Sequence, residues 1–176
     1  MTRANKGNKK LAGTLVSALV DKSATCSTMM AYEKAVPLAY EAVSIATSLH
    51  IKHYLADAHH NLSDVLLENK KVDFAIINAK AAMQNAKESD YDVMYITAAV
   101  SLSAAYDKSG RQSEHLELLK NDLEKSKEID FVLLQDKIYN HIADASYKTG
   151  NYKAAYSYLQ QYNAIRTPLL MNGIPK

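Results

Sequence analysis

The chain has 176 residues, of which 48% are hydrophobic and 23% are charged, a composition typical of soluble globular domains and unlike that of disordered chains. Only five glycines and three prolines are present. These are too few for a fold built from β-hairpins, so the composition predicts an all-α chain. The 21 Lys and Arg residues nearly balance the 19 Asp and Glu residues, which argues against a nucleic-acid partner because phosphate binding needs a clustered basic face.

The first residues are basic and precede a mostly apolar stretch. Residues 1–8 are predicted to form a flexible basic N-terminal tail. In KKLAGTLVSALVDK, which follows, Leu11, Leu15 and Leu19 recur every four residues, which favours an amphipathic helix over a secretion signal. No stretch approaches the roughly 18 apolar residues of a membrane span, so no span is predicted within this chain.

The next stretch, DKSATCSTMM, is predicted to be a loop. It contains the single Cys26, which cannot form an internal disulfide and gives no sign of the cellular compartment. In the helix that follows, apolar residues recur at i, i+3, i+4 and i+7 from Ala35 to Leu49. Pro37 falls inside this pattern, so we expect a kink near Val36 or a helix that begins later.

A forty-residue period organises the chain. It recurs in three sets of positions: Ala35, Ala75, His115 and Ala155; Leu62, Leu102 and Ile142; Gly110 and Gly150. The period predicts a repeat domain over residues 9–166, with units at about 9–50, 51–90, 91–130 and 131–166, and it leaves residues 167–176 as a C-terminal tail or linker. Ala75 and Ala155 should be buried where helices cross, because small side chains let helices approach closely.

Each unit is predicted to be a helical hairpin. Hairpin turns are expected near residues 69–71, 109–111 and 149–151. Gly110 and Gly150 suit the left-handed conformation that ends a helix, whereas Lys70 stands at the equivalent position of the second unit, so that turn should be less well defined. Asp90 and Asp130 are placed to cap the helices that follow them.

This pattern resembles the tetratricopeptide repeat, in which aliphatic, small, Tyr, Gly and Ala residues stand at set positions. The residues that fit are Tyr32, Ala35 and Ala42 in the first unit; Leu62, Ser63, Ala75 and Ala82 in the second; Leu102, Ser103, Tyr106 and Gly110 in the third; and Ile142, Ala143, Gly150, Tyr152 and Ala155 in the fourth. The chain departs from the family in lacking Trp, in placing His115 at an alanine position, and in its forty-residue period, since the family's repeat has about thirty-four. The resemblance implies a right-handed superhelical stack of about four antiparallel helix hairpins.

The longer period is similar to the extended-helix variants of bacterial signalling proteins, including the sensor portions of two-component kinases and peptide-sensing regulators. This similarity implies that the chain is the sensory or regulatory part of such a protein. The composition indicates a soluble protein. It does not distinguish the cytoplasm from the periplasm, where a sensor ectodomain would lie.

The region around residues 53–64 is the strongest candidate for chemistry. His53, Asp57, His60 and Asp64 recur along one helix face, so neighbours in this row could share a metal ion. At about 1.5 Å per residue the row spans roughly 16 Å, which is too long for one ion. No HExxH, paired CxxC, nucleophile elbow or Gly-rich phosphate loop occurs. The sequence predicts no catalytic residue, no metal and no cofactor, and the alternative is a helical metal-binding protein or enzyme that uses His/Asp pairs of this region.

The family resemblance implies that the first helices of successive hairpins line a polar groove with an acidic end and a more basic one. Its residues are Asp57, His60, Asn61, Asp64, Thr97, Ser101, Lys108, Lys137, Asn140, His141, Asp144 and Lys148. Asn61 and Lys137 fall at places like those of the carboxylate clamp of chaperone adaptors, but Ser101 and His141 replace its other Asn and basic residue. The implied function is a non-catalytic scaffold that binds a protein or peptide, and a solvated helix face without a partner is the alternative.

Overall fold

The computed structural model describes the backbone of residues 3–172 and the side chains of residues 10–167. Within that range the chain forms eight α-helices joined by short turns, and the described residues include no strand. The helices are α1 (Arg3–Thr28), α2 (Tyr32–Leu49), α3 (Lys52–Glu68), α4 (Val72–Lys87), α5 (Asp92–Lys108), α6 (Gln112–Glu128), α7 (Val132–Lys148) and α8 (Tyr152–Asn172). The predicted all-α class is confirmed.

The helices extend further toward both ends of the chain than the sequence indicates. α1 begins at Arg3, within the predicted tail of residues 1–8, and α8 continues to Asn172, within the predicted segment of residues 167–176. The remainder of both segments lies outside the described residues. No helix in the described part of the chain is both long enough and apolar enough to cross a membrane.

The helices repeat with the predicted forty-residue period. The second helices of the hairpins begin at Tyr32, Val72, Gln112 and Tyr152. The first helices α3, α5 and α7 begin at Lys52, Asp92 and Val132, with the same interval. Consecutive helices pack in pairs, α1 with α2, α3 with α4, and α7 with α8, so the chain is a series of antiparallel helical hairpins.

The chain divides into two compact units. The N-terminal unit, residues 1–105, contains α1 to α4 and most of α5, and the C-terminal unit, residues 106–176, contains the end of α5 and α6 to α8. In the N-terminal unit α3 packs against α1, α2 and α4. The first helices of neighbouring hairpins, α1 and α3, therefore lie side by side. In the C-terminal unit α7 packs against α6 and α8.

All four hairpin turns share one backbone conformation. The residues at their left-handed position are Met30, Lys70, Gly110 and Gly150, with φ of 58, 60, 77 and 79°. The next amide donates to the carbonyl five residues before it in every turn, at 2.9, 2.8, 2.9 and 2.9 Å. The predicted turn positions are confirmed. The prediction of a poorly defined turn at Lys70 is wrong, because these hydrogen bonds hold its backbone despite the roughly 1–2 kcal/mol that a Cβ costs there.

The first hairpin differs from the prediction. α1 continues through Cys26 to Thr28, so most of the predicted loop DKSATCSTMM is helical. Its Ser and Thr hydroxyls are satisfied inside the helix, since Thr25 Oγ1 donates to the Asp21 carbonyl at 2.8 Å and Thr28 Oγ1 donates to the Thr25 carbonyl at 2.8 Å. A cluster of such residues is therefore compatible with a long helix.

Pro37 does not delay the start of the second helix. α2 begins at Tyr32 and includes Pro37 in its second turn, so of the two expected effects, a kink near Val36 or a later start, the later start is not observed. Proline cannot donate to the carbonyl of Glu33. Both residues are exposed, so the carbonyl that lacks a helical donor lies on the solvent side of the helix.

Asp90 and Asp130 do not cap the helices that follow them. Their φ values are 52 and 51°, and His50 has the same conformation with φ of 52°. These residues end α2, α4 and α6. The residue before α7 is Phe131, which makes no side-chain capping bond. The capping prediction is wrong because the left-handed position that ends each hairpin falls on the aspartates, a residue type that tolerates it better than most.

Small residues lie where helices cross. Ala75 is fully buried and Ala155 is 8% exposed, which confirms the prediction for both. Ala35 is also fully buried, and His115 fills the remaining equivalent position at 3% exposure. Because Ala has no atoms beyond Cβ, the two helices of a hairpin approach closely at these points.

Two buried serines tie together the helices of the first two hairpins. Ser23 Oγ donates to the Ala35 carbonyl at 2.9 Å, and Ser63 Oγ donates to the Ala75 carbonyl at 2.9 Å. Both serines are fully buried. Each bond joins a first helix to the helix that follows it, and the two bonds are one repeat apart, so the same contact fixes the helix spacing in both hairpins.

Candidate binding site on the first helices

The N-terminal unit contains a cavity of about 380 Å³ between its first helices. Its lining residues are Ser17, Val20, Asp21 and Ala24 from α1; Asp57, His60, Asn61 and Asp64 from α3; and Met94 from α5. Three of them are aspartates, and none is Lys or Arg. The cavity therefore combines acidic groups with an apolar wall formed by valine, alanine and methionine.

The cavity follows the forty-residue register. Its α1 and α3 residues form four equivalent pairs: Ser17 and Asp57, Val20 and His60, Asp21 and Asn61, Ala24 and Asp64. The structure thus brings together the four groove residues predicted in α3. The sequence reasoning missed the α1 residues, although subtracting forty from each α3 position would have found them.

The predicted groove residues of α5 do not line this cavity. Thr97 Oγ1 donates to the Val93 carbonyl at 2.7 Å, and Ser101 Oγ lies 3.4 Å from the Thr97 carbonyl. Ser101 is also buried. Both hydroxyls therefore bond within their own helix, and α5 contributes Met94 to the cavity instead.

Asn61 and His60 carry unpartnered polar atoms. Asn61 is only 6% exposed; its Nδ2 donates to the Val20 carbonyl at 3.4 Å, and its Oδ1 has no partner. His60 Nδ1 lies 3.5 Å from Asp64 Oδ2, and Nε2 is buried without a partner. One N–H of Asn61 is bonded to the protein and its unpartnered atom is an acceptor, whereas a carboxylate clamp requires donors.

Burial raises the pKa of the Asp57 carboxyl, and the nearby His53 and His60 offset part of that rise. Burial also raises the pKa of Tyr91, and the negative charge of Asp57 adds to this effect. A carboxylate whose pKa is raised by desolvation is not compensated by a nearby fixed cation. The cavity is therefore acidic, and no Lys or Arg lines it to balance the three aspartates.

The two histidines of the predicted His/Asp row, His53 and His60, and the adjacent His59 have different surroundings. His59 Nδ1 lies 2.9 Å from Asn78 Oδ1 on α4, inside the hairpin, whereas His60 lines the cavity. The His53 ring packs against the Tyr54 ring, with their centroids 4.2 Å apart. Among residues 10–167, no group of three or more His, Cys, Asp or Glu side chains is arranged to hold a metal ion.

The predicted groove residues of the C-terminal unit include a paired lysine. Lys148 Nζ lies 2.8 Å from Asp144 Oδ2 and 3.0 Å from Asp107 Oδ2, and Asp107 also accepts from Gln112 Nε2 at 2.9 Å. Burial would raise the pKa of Asp107, but the hydrogen bonds from Gln112 and Lys148 outweigh it and lower that pKa. The charge of Lys148 is therefore shared with two aspartates of its own unit.

The remaining predicted residues of this unit differ in exposure. Lys108, Lys137 and Asn140 are exposed, and His141 is half-buried. Burial lowers the pKa of His141, and the charge of His115 adds to that effect while Asp144 and Asp107 oppose it. His141 is thus favoured as a neutral imidazole, which can both donate and accept hydrogen bonds.

No family model matches the chain, and no curated protein matches it. Solved structures share its fold. Aspartyl phosphate phosphatase F from Bacillus subtilis matches with a TM-score of 0.80 at 15% identity, over 88% of this chain and 40% of its own. BtubC from P. vanneervenii matches with a TM-score of 0.77 at 12% identity, over 92% of this chain and 66% of its own. A TPR-like protein from Chlorobium tepidum matches with a TM-score of 0.57 at 17% identity, over 77% of this chain and 97% of its own. The chain has a tetratricopeptide-like fold.

The tetratricopeptide-like fold agrees with the eight helices in consecutive pairs, and the predicted fold class is confirmed. The chain spans 40% of the length of the phosphatase and 66% of the length of BtubC. At identities of 12 to 17%, these likenesses establish a shared fold and leave activity to be argued from the residues of this chain.

Proposed function

We propose that the chain is a non-catalytic scaffold that binds a protein or peptide along the face formed by its first helices. The observation that carries the proposal is the cavity between equivalent turns of α1 and α3, in which buried polar atoms of His60 and Asn61 have no partner. Buried polar groups are normally satisfied. A polypeptide lying along this face would supply the missing hydrogen bonds.

The proposed contact residues are those that the repeat register assigns to the first helices. They are Asp57, His60, Asn61 and Asp64 in α3, Thr97, Ser101 and Lys108 in α5, and Lys137, Asn140, His141, Asp144 and Lys148 in α7. To these the cavity adds Ser17 and Asp21 of α1. The partner proposed is a polypeptide rather than a nucleic acid, because the aspartates of the cavity would repel phosphate groups.

Site-specific photo-crosslinking tests this proposal. Benzoylphenylalanine introduced in place of Asp64, which lines the cavity, should crosslink to a partner in the source cell. The same residue in place of Ile77, which is 62% exposed on the second helix α4, is the matched control. Crosslinks from position 77 alone would move the binding surface to the second helices and contradict the proposal.

We also propose that the scaffold is the sensory or regulatory part of a bacterial signalling protein. The forty-residue period supports this, because it resembles the extended repeats of such proteins. Mass spectrometry of the partners crosslinked at position 64 tests it. We expect kinases, response regulators or transcription factors among them, whereas a set restricted to metabolic enzymes would refute the signalling role and leave the scaffold role intact.

A further inference from the structure

The two unpartnered atoms of the cavity are both hydrogen-bond acceptors. Asn61 Nδ2 donates to the Val20 carbonyl, which fixes the orientation of the amide and leaves Oδ1 as the unpartnered atom. An acceptor buried without a partner costs roughly 1–3 kcal/mol. Because Asn61 is more than nine-tenths buried and lines the cavity, a group that enters the cavity can satisfy this oxygen only by donating a proton to it.

His60 leads to the same conclusion. Its Nδ1 lies 3.5 Å from the Asp64 carboxylate. An ionised carboxylate only accepts hydrogen bonds, so Nδ1 is the nitrogen that carries the proton, and in a neutral imidazole Nε2 is then an acceptor. Nε2 is the atom without a partner. With a neutral His60, neighbouring residues of α3 thus present two unpartnered acceptors to the cavity.

The charge of the lining selects a cation. Asp21, Asp57 and Asp64 contribute three carboxylates, and no lining residue is Lys or Arg. The desolvation that raises the pKa of Asp57 would be relieved by a positive charge in the cavity. A bare metal ion fits less well, because the described side chains include no set of three ligands arranged around one point.

The apolar part of the lining indicates that the positive charge is carried at the end of an aliphatic side chain. Val20, Ala24 and Met94 line the cavity beside the carboxylates. Lysine and arginine place an aliphatic stem along apolar surface and keep their charged end among polar groups. A volume of about 380 Å³ accommodates one such side chain.

We propose that this cavity receives a lysine or arginine side chain of a partner polypeptide. The charged end donates to Asn61 Oδ1 and His60 Nε2 and lies among the three aspartates, while the stem packs on Met94 and Val20. This assignment rests on the proposed scaffold function and adds the chemistry of the group that is recognised. The site therefore selects basic segments and rejects acidic ones.

Titration of the full chain with synthetic probes, followed by amide NMR, tests the assignment. The probe is a capped Gly/Ser heptapeptide with one central lysine, and the matched probe carries norleucine, which keeps the stem and removes the charge. The lysine probe should shift the resonances of the cavity residues saturably. The norleucine probe should bind roughly tenfold more weakly, because charge-assisted hydrogen bonds are lost. Equal binding of the two probes would overturn the proposal.

Three variants test whether binding of the lysine probe depends on the carboxylates of the cavity. Asp57→Asn and Asp64→Asn each remove one carboxylate of the cavity and should weaken the lysine probe by roughly tenfold. Asp73→Asn removes the same charge from the exposed start of α4, outside the cavity, and should leave binding unchanged. An equal loss with Asp73→Asn would mean that only the net charge matters, and the site assignment would be wrong.

Two further outcomes separate this proposal from others. If cadaverine binds about tenfold more tightly than the lysine peptide, the cavity is a polyamine site and the polypeptide assignment falls. If no lysine probe binds but position 64 still crosslinks to a partner, the scaffold function stands and the cationic assignment fails. If neither is observed, both proposals fail.

Discussion

Asp122 is a residue at which the repeat pattern is broken. It lies on α6 at the position that Ala42 and Ala82 occupy in the first two hairpins, and both alanines are fully buried. Asp122 is itself only 2% exposed, and its Oδ2 has no partner. Burial raises the pKa of Asp122 to about 7, although the charge of Lys125 opposes this effect. The carboxyl thus replaces a methyl group at a buried position.

This burial predicts a pH-dependent stability. Between about pH 4 and pH 7 the folded chain holds a proton on Asp122 that the unfolded chain releases, so the free energy of unfolding should fall as the pH rises through this range. Asp122→Asn should remove that slope and stabilise the protein at pH 8 by on the order of 1–3 kcal/mol. Urea unfolding at several pH values measures it. Glu117→Gln, on the exposed side of α6, should keep the slope, and an unchanged slope in Asp122→Asn would contradict the assignment.

Lys70 has a strained backbone conformation. Its φ is 60°, and the equivalent positions of later hairpins are occupied by Gly110 and Gly150. Lys70→Gly should raise the free energy of unfolding by about 0.5–1 kcal/mol, because it removes the strain of a Cβ in the left-handed region. Thermal unfolding of the variant checks this. Lys71→Gly is the control, since residue 71 has no positive φ, and a larger gain from it would refute the explanation.

At the scale of the helix, close packing depends on positions without large side chains. Gly13 lies in α1, and a Cβ added there would overlap the ring of Tyr54 on α3. This glycine therefore leaves room for the Tyr54 ring where the neighbouring first helices meet. A glycine in a helix interior otherwise costs stability relative to alanine, so its presence here has a packing cause.

The contact predicts an unusual response to alanine. Gly13→Ala should destabilise the chain by about 1–3 kcal/mol through overpacking, although alanine is the better helix former. Gly13→Ala combined with Tyr54→Leu should recover part of the loss, because the smaller side chain leaves room for the new methyl group. Chemical unfolding of the single and double variants measures the coupling. A stabilised single variant would show that the ring moves aside.

The helix crossing at Ala75 gives a second prediction at this scale. Ala75→Leu should cost roughly 1–3 kcal/mol, because the larger side chain would force apart α3 and α4 and lengthen the Ser63 hydrogen bond to the Ala75 carbonyl. Ile77→Leu, at an exposed position of the same helix, should be nearly neutral. If thermal unfolding is the same in both variants, residue 75 does not lie at a tight crossing.

The sequence was sufficient for elements whose signals are local. Gly110 and Gly150 mark turns because few other residues favour their backbone conformation, and the alanines of the second helices mark crossings. The long α1 could not be predicted, since the hydroxyls of Thr25 and Thr28 bond inside the helix as readily as in a loop. Of the α1 residues that line the cavity, only Ala24 lies in the predicted loop beyond the stretch KKLAGTLVSALVDK, so the repeat register was sufficient to find the others. The orientation of Asn61 depends on a carbonyl of another helix, which no local pattern reveals.

At the scale of the whole molecule, each hairpin depends on its neighbour to cover an apolar face. Leu119 of α6 is fully buried, whereas Leu159, its equivalent on α8, is 43% exposed. In the described part of the chain no helix follows α8. Tyr152 and Tyr156 are also mostly exposed on α8. Burial of apolar surface contributes roughly 25 cal/mol per Å², so a hairpin without a neighbour lacks much of its stabilisation.

A separate hairpin should therefore fail to fold. A peptide of residues 131–172, which contains α7 and α8, should show less than about half the helical content per residue of the intact chain, because repeat units gain their stability from interfaces. Far-UV circular dichroism of both gives the comparison. Full helicity in the peptide, with a cooperative thermal transition, would show that the hairpin is stable without neighbours.

The shared backbone at the connections between hairpins constrains how a gene for such a chain can change in length. His50, Asp90 and Asp130 have φ of 52, 52 and 51°. If the forty residues 51–90 were deleted, His50 would be followed by residue 91, and the chain would keep the same bend that now leads from His50 into Ile51. An unequal crossover that deletes or duplicates forty codons between these points leaves every later turn in phase. An insertion of one or two residues within a helix would rotate the apolar residues that follow it away from their neighbours. A change of forty codons between these points would therefore add or remove one whole hairpin and leave the backbone of the others unchanged.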